Sequence, residues 1–300
     1  MIAELAVDLT CRQACEAITA ALRAGLDVEG CPARSNIAVP GGELLLMPAA
    51  LGGYAGVKIA GVAPANPGRG LPRITGSYLL LDGATLVPVA LLDGAALTAL
   101  RTPAVTAVAV DRLAGAEAAH LVLFGAGPQA YGHLDALREV RPLERVTVVA
   151  RRAEPAERLA RYARAAGLAA VVGEADAVAE ADLVVCCTTA SEPLFAGALV
   201  PDHAVVAAVG SHSPTGREVD TALVARAACY VEARAVARRE AGDLLLAGEA
   251  TAPERWTNLG ELVAGEVVPG DRPRFFKSVG MAWQDLAVAA ELHRRYGALC

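Results

Sequence analysis

Short apolar runs recur through the first hundred positions. They are Ile37-Ala38-Val39, Leu44-Leu45-Leu46-Met47, Gly56-Val57-Lys58-Ile59-Ala60, Gly76 to Leu81 and Val87 to Leu91. Pro40-Gly41-Gly42, Asn66-Pro67-Gly68 and Asp82-Gly83 separate them, and these are turn signals. Strands this close, with no helix between them, predict a largely antiparallel sheet. Ahead of it, Thr10 is placed to cap a helix from about Cys11 to Ala24. Behind it, a helical pattern runs from about Gly94 to Ala114.

At His120 the rhythm changes. Leu121-Val122-Leu123-Phe124 leads into Gly125 and a helix to about Glu139, followed by the apolar run Arg145 to Ala150. A helix over about Pro155–Ala166, the run Ala170–Val172 and a short helix near Asp176–Glu180 come next. Leu183 to Cys187 and Ala204 to Val209 complete the series. Strands alternating with helices at this spacing predict a parallel, doubly wound α/β sheet. The boundary between the two patterns is expected within or just after the helix that ends near Ala114.

Composition narrows the function classes. Apolar residues form 54% of the 300 and charged ones 20%, which fits a globular chain large enough for two domains. A net charge of −6 offers no basic excess for phosphates, so no nucleic-acid partner is expected. Apolar stretches are interrupted before they reach bilayer length, and no secretory signal opens the chain. A cytoplasmic protein with no membrane association is therefore expected. Seven cysteines, Cys11, Cys15, Cys31, Cys186, Cys187, Cys229 and Cys300, show no metal-ligand spacing and read as free thiols, with no metal expected.

Gly125-Ala126-Gly127-Pro128-Gln129-Ala130 is a GxGxxA run between an apolar strand and a helix. Gly125 permits the tight turn, and Gly127 lets backbone approach a pyrophosphate. Ala130 keeps the helix close to the sheet, and the helix N-terminus, with Pro128 and Gln129, offers N–H groups to the anion. The next strand ends in Arg151-Arg152 rather than in an acid that would bind ribose hydroxyls. Two guanidiniums suit a 2′-phosphate, so NADP(H) is favoured and NAD(H) remains possible.

Beyond the loop, many stretches in order resemble the ornithine cyclodeaminase/μ-crystallin family. They include Ala33-Arg34-Ser35, Gly42 to Ala49, Gly56-Val57-Lys58, Leu97 to Thr102, Cys187-Thr188-Thr189, Glu240 to Leu244, Gly260 to Gly265 and Phe276 to Asp285. The resemblance implies a Rossmann domain over 115–278. It also implies an α+β substrate and dimerisation domain formed by 1–114 with the C-terminal helix, 279–300. The active site would lie in the cleft between them, and a homodimer is implied. By motif, Arg34 and Arg101 would clamp the carboxylate of a small amino or imino acid, since guanidinium forks bind carboxylates bidentately. Lys58 would carry the proton, its pKa lowered by burial beside two Arg charges. Glu43 is a candidate for the substrate amine, against a plain half-exposed strand position. Thr188, Thr189 and Ser211 are assigned to the cofactor side. Lys277 and Asp285 read as structural.

One departure matters. Cyclodeaminases carry an Asp two residues before a proline, with a Glu four residues after it. Here Pro214 and Glu218 keep that frame and His212 stands at the Asp position. Imidazole holds an ammonium poorly, although its pKa suits proton transfer at neutral pH. This disfavours ornithine cyclodeamination and favours reduction of a preformed cyclic imine such as Δ1-pyrroline-2-carboxylate, with Lys58 and His212 as catalytic candidates. His212 could equally orient the nicotinamide or simply pack. Amino acid dehydrogenase, cyclodeaminase and a crystallin-like NADP(H)-binding protein remain as alternatives.

Overall fold

The structure is a computed structural model and describes residues 3–265 and 270–297. The expected thiol Cys300 lies outside the described residues. The chain divides into two compact units, Met1–Arg101 with Met281–Cys300, and Thr102–Gly280.

Period-two alternation builds the first unit. Its elements are β1 (Ala3–Leu5), α1 (Cys11–Arg23), β2 (Ser35–Val39), β3 (Gly42–Leu51), β4 (Tyr54–Val62), β5 (Ile74–Asp82) and β6 (Pro88–Asp93). Thr10 caps α1 in a reciprocal box with Gln13. Strands β2 to β6 form an antiparallel meander, and β1 adds in parallel beside β6. Three-residue β1 is too short to show alternation, which is why the sequence pattern did not reveal it. Leu45, Met47, Ala60, Val62, Tyr78, Leu80, Ala90 and Leu92 point to the buried face.

Helix α2 (Gly94–Leu113) follows and contains Pro103. The division of the chain falls inside this helix, between Arg101 and Thr102. Its later turns belong to the second unit. Thr106 bonds His133 there, and Arg141 reaches Asp111 and the carbonyls of Val110 and Ala114.

The second unit is an eight-stranded, all-parallel sheet. Its elements are β7 (His120–Phe124), α3 (Pro128–Arg138), β8 (Arg145–Val149), α4 (Ala153–Ala165), β9 (Ala169–Val172), β10 (Leu183–Cys186) and β11 (Val205–Ala208). They continue with α5 (Thr221–Arg226), β12 (Ala228–Val231), α6 (Arg234–Glu240), α7 (Gly242–Leu245), β13 (Thr257–Asn258), α8 (Leu259–Ala264) and β14 (Arg274–Lys277). The order is β13-β12-β14-β11-β10-β7-β8-β9, so the winding reverses between β7 and β10. Residues 175–180, expected as a short α-helix, form a 3-10 turn. Strand β14, only four residues between charged neighbours, inserts between β11 and β12.

The chain then returns to the first unit as α9 (Ala282–Gly297), which packs on β3, β4, β5 and α1. It is buried almost continuously from Ala282 to Ala290.

Candidate active site

In the first unit, β4 alternates Gly56, Lys58, Ala60 and Val62 toward the buried face, so the lysine takes a core position. It pairs across the sheet with Met47 and Tyr78. A charge at such a position is tolerated only with partners, and α9 supplies one in its first turn. Lys58 Nζ lies 2.9 and 2.8 Å from Oδ1 and Oδ2 of Asp285, and 3.2 Å from Thr98 Oγ1. Lys58 is 3% exposed and Asp285 0%. The helix N-terminus favours the carboxylate.

Arg101 on α2 donates to the same carboxylate, Nε to Asp285 Oδ1 at 3.2 Å, and Nη1 donates to Gln284 Oε1 at 2.8 Å. These bonds leave its Nη2 outside them. Burial pulls the Lys58 pKa down to about 8; Asp285 opposes this, while Arg101 and then Arg34 add to it. Lys58 and Arg101 thus set two cations around the carboxylate of Asp285. Beside them stands Tyr78, fully buried, its hydroxyl without a partner among the described residues. Burial and then Asp285 raise its pKa. Gly56 makes room for it, since a Cβ there would stand 2.3 Å from Tyr78 Oη.

Sequence reasoning had brought Lys58, Arg101 and Arg34 together. It read Asp285 as a structural residue, and the structure shows that residue joining the lysine to an arginine. The signal lay in Gln284-Asp285, two polar residues in the otherwise apolar first half of the helix, Ala282 to Ala290. Glu43 stands apart. It shares Lys58's face of the sheet, but the register sets it opposite Val62 while Lys58 opposes Met47. Four residues of strand are about 13 Å.

In the second unit, the glycine loop closes β7. Gly125 adopts φ +104°, and a Cβ there would stand 2.6 Å from the Cys187 carbonyl oxygen, so only glycine fits. Gly127 is extended, and a Cβ on it would meet nothing within 4 Å. It precedes α3, which starts at Pro128 with no side-chain cap, while Ala130 is buried against the sheet. This open backbone cradle at an uncapped helix N-terminus fits a pyrophosphate. Behind it, His133 is fully buried. Its Nδ1 lies 2.7 Å from Gln129 O and its Nε2 3.0 Å from Thr106 Oγ1, and burial pulls its pKa down to about 4. His133 is therefore a neutral brace beneath the loop. Sequence analysis did not single it out.

Arg151 and Arg152 are exposed just after β8. Glu154, the nearest acid, is engaged with Arg158 one turn along α4. Thr188 and Thr189 follow β10, and Ser211 and His212 follow β11. The N–H and hydroxyl of Thr188 both donate to Glu218, and Ser211 Oγ donates to Gly216 O at 2.9 Å. Both side chains are thus committed within the protein, whereas Thr189 and His212 are exposed. Lys277 is fully buried 2.7 Å from Asp243, an ion pair within this unit.

The pattern of the ornithine cyclodeaminase/mu-crystallin family matches residues 2–298. The Delta(1)-pyrroline-2-carboxylate/Delta(1)-piperideine-2-carboxylate reductase of Azospirillum brasilense is 35% identical over 250 residues, 82% of this chain and 78% of that protein. Among solved structures, the Delta(1)-pyrroline-2-carboxylate reductase of Thermococcus litoralis, in complex with NADH and L-proline, superposes with a TM-score of 0.92. It is 27% identical and covers 99% of this chain and 98% of that one. An archaeal alanine dehydrogenase dimer with bound NAD gives a TM-score of 0.93 at 27% identity, over 99% and 96% of the two chains. The buried lysine on β4 and the glycine loop after β7 thus sit in a chain that belongs, over nearly its whole length, to the ornithine cyclodeaminase/mu-crystallin family.

Proposed function

We propose that this chain is an NAD(P)H-dependent reductase of a small cyclic imino acid, such as Δ1-pyrroline-2-carboxylate, which it converts to the L-amino acid. The observation that carries the reading is the buried cluster of Lys58, Asp285 and Arg101, with the charge of Arg34 acting on it. Its excess of positive charge suits a substrate carboxylate, and its lysine titrates near neutrality. Relatives named for this reaction support it.

The bound dinucleotide supplies the hydride. Arg34 and Arg101 hold the substrate carboxylate, restricting the imine carbon to one orientation. Lys58, protonated below about pH 8, gives its proton to the nitrogen as the bond order falls. His212 is the second candidate at the amine. Without the cyclodeaminase carboxylate at that position, ornithine loses a partner for its ammonium.

NADP(H) is the preferred cofactor in this reading, supported by Arg151 and Arg152 standing exposed after β8. The assembly is a homodimer. Ile37, Val39, Leu44, Leu46, Val57, Ile59 and Leu79 share the sheet face opposite Lys58, and Ile37, Val39 and Ile59 are exposed. Light scattering at micromolar concentration checks this: a monomer rejects it. Among the described residues no cysteine is in a disulfide. Among the described residues no helix is long and apolar enough to cross a membrane.

The decisive assay is NADPH oxidation with Δ1-pyrroline-2-carboxylate and Δ1-piperideine-2-carboxylate. Turnover is expected with at least one. Folded, dinucleotide-bound protein that reduces neither sinks the reading. Ammonia-dependent pyruvate reduction would instead identify an alanine-type dehydrogenase, and ammonia release from ornithine a cyclodeaminase.

A further inference from the structure

The loops after β10 and β11 are tied together by one buried carboxylate. Glu218 has no solvent exposure. Its Oε1 accepts from the Thr188 N–H at 2.8 Å and the Thr188 hydroxyl at 2.7 Å, and its Oε2 accepts from the Gly210 N–H at 2.7 Å. Glu218 is itself held from behind. Asp243 Oδ1 accepts from the N–H groups of Glu218 at 2.6 Å and Val219 at 3.0 Å, and Asp243 Oδ2 lies 2.7 Å from Lys277 on β14.

The loops also press backbone to backbone. A Cβ on Gly210 would stand 2.0 Å from the Thr188 carbonyl oxygen and 2.5 Å from Glu218 Oε1. Burial raises the Glu218 pKa, while Lys277 and the three hydrogen bonds oppose it. Every group facing the carboxylate is a donor, so the ionised form is the one that fits. A buried charge is costly, and apolar packing could hold two loops together as well. What the carboxylate adds is direction: it fixes which way the amides of positions 188 and 210 point.

Those positions follow β10 and β11, beyond the reversal of winding. In doubly wound sheets the dinucleotide lies across that reversal, one nucleotide on each half. The glycine loop and Arg151-Arg152 belong to the β7–β8 half. The β10–β11 half is left for the nicotinamide nucleotide.

We propose that Glu218 is a positioning residue for the nicotinamide half of the dinucleotide, clamping Thr188 and Gly210 so that the two loops bounding it hold one backbone geometry. The proposal rests on the dinucleotide reading above. Glu218 itself touches no cofactor atom in it.

Calorimetric titration separates the halves. Wild-type protein and Glu218→Gln are titrated with NADPH and with adenosine 2′,5′-bisphosphate, which lacks the whole nicotinamide nucleotide. In the variant the NADPH Kd is expected to rise about tenfold or more, while the fragment's Kd stays within about twofold. The fluorescence of bound NADPH should shift toward that of the free nucleotide. Equal losses for both ligands, or none for either, overturn the proposal. If Glu218→Gln fails to fold, Thr188→Val keeps the charge, removes one of the three bonds and should weaken NADPH alone by about threefold. Wild-type protein that binds neither ligand overturns the dinucleotide reading itself, so the two failures stay distinct.

Discussion

Lys58 Nζ is chelated by both carboxylate oxygens of Asp285, at 2.9 and 2.8 Å, and Arg101 Nε shares the first oxygen at 3.2 Å. The lysine therefore keeps a proton at neutral pH although burial pulls its pKa to about 8. Reduction consumes that proton. Its rate should be flat below pH 8 and fall about tenfold per unit above it. Oxidation of the amino acid needs the neutral amine and should rise through the same pH. A kcat/KM for reduction that stays level to pH 9.5 rejects Lys58 as the donor.

Asp285→Asn removes the partner that raises the Lys58 pKa and leaves burial and the arginine charges that lower it. The falling limb of the reduction profile should move to lower pH, with the plateau reached only in acid. Lys58→Met should reduce kcat by a factor on the order of 10² to 10⁴ while imino acid binding persists. Unchanged limbs in Asp285→Asn would mean that the carboxylate merely packs.

The two loop glycines should separate folding from binding. Gly125→Ala places a Cβ 2.6 Å from the Cys187 carbonyl at a backbone φ of +104°. The expected loss is a few kcal/mol (about 1–3) in urea unfolding. The Cβ that Gly127→Val adds meets nothing within 4 Å, so the variant should unfold like the wild type yet lose dinucleotide affinity by about a hundredfold or more. A Gly127→Val protein that binds NADPH normally rejects the loop as the pyrophosphate site.

In the proposed reading, Arg151 and Arg152 select NADP(H) over NAD(H). Replacing both with Ala should raise the KM for NADPH at least about tenfold, the scale of a lost charge-assisted contact, and leave that for NADH nearly unchanged. A wild type that already favours NADH, with no response to the double substitution, removes these residues from the site.

The second unit was largely legible because buried parallel strands are continuous apolar runs and the GxGxxA turn has a stereochemical requirement at Gly125. The antiparallel meander was legible from its turns. Pairings between distant positions were not. Asp285 lies 227 residues from Lys58, and nothing local to Asp285 marks which face of an apolar helix meets a lysine. Glu218 was visible only as a frame residue beside Pro214, since its partners Thr188, Gly210 and Asp243 come from three other segments. His133 was not singled out, because its partner Thr106 lies on another helix, α2. Strand β14 carried too few residues between charges to show any period.

Helix α9 leaves the ribosome after the entire eight-stranded unit, yet it supplies the counterion for a lysine translated more than two hundred residues earlier. The N-terminal meander therefore waits, its core lysine uncompensated, while the second unit can already fold. Nascent chains stalled before residue 281 should show protease-resistant dinucleotide-binding sheet and a protease-sensitive N-terminal segment. The order of synthesis thus keeps the buried Lys58–Asp285 pair unassembled until the eight-stranded unit has been made.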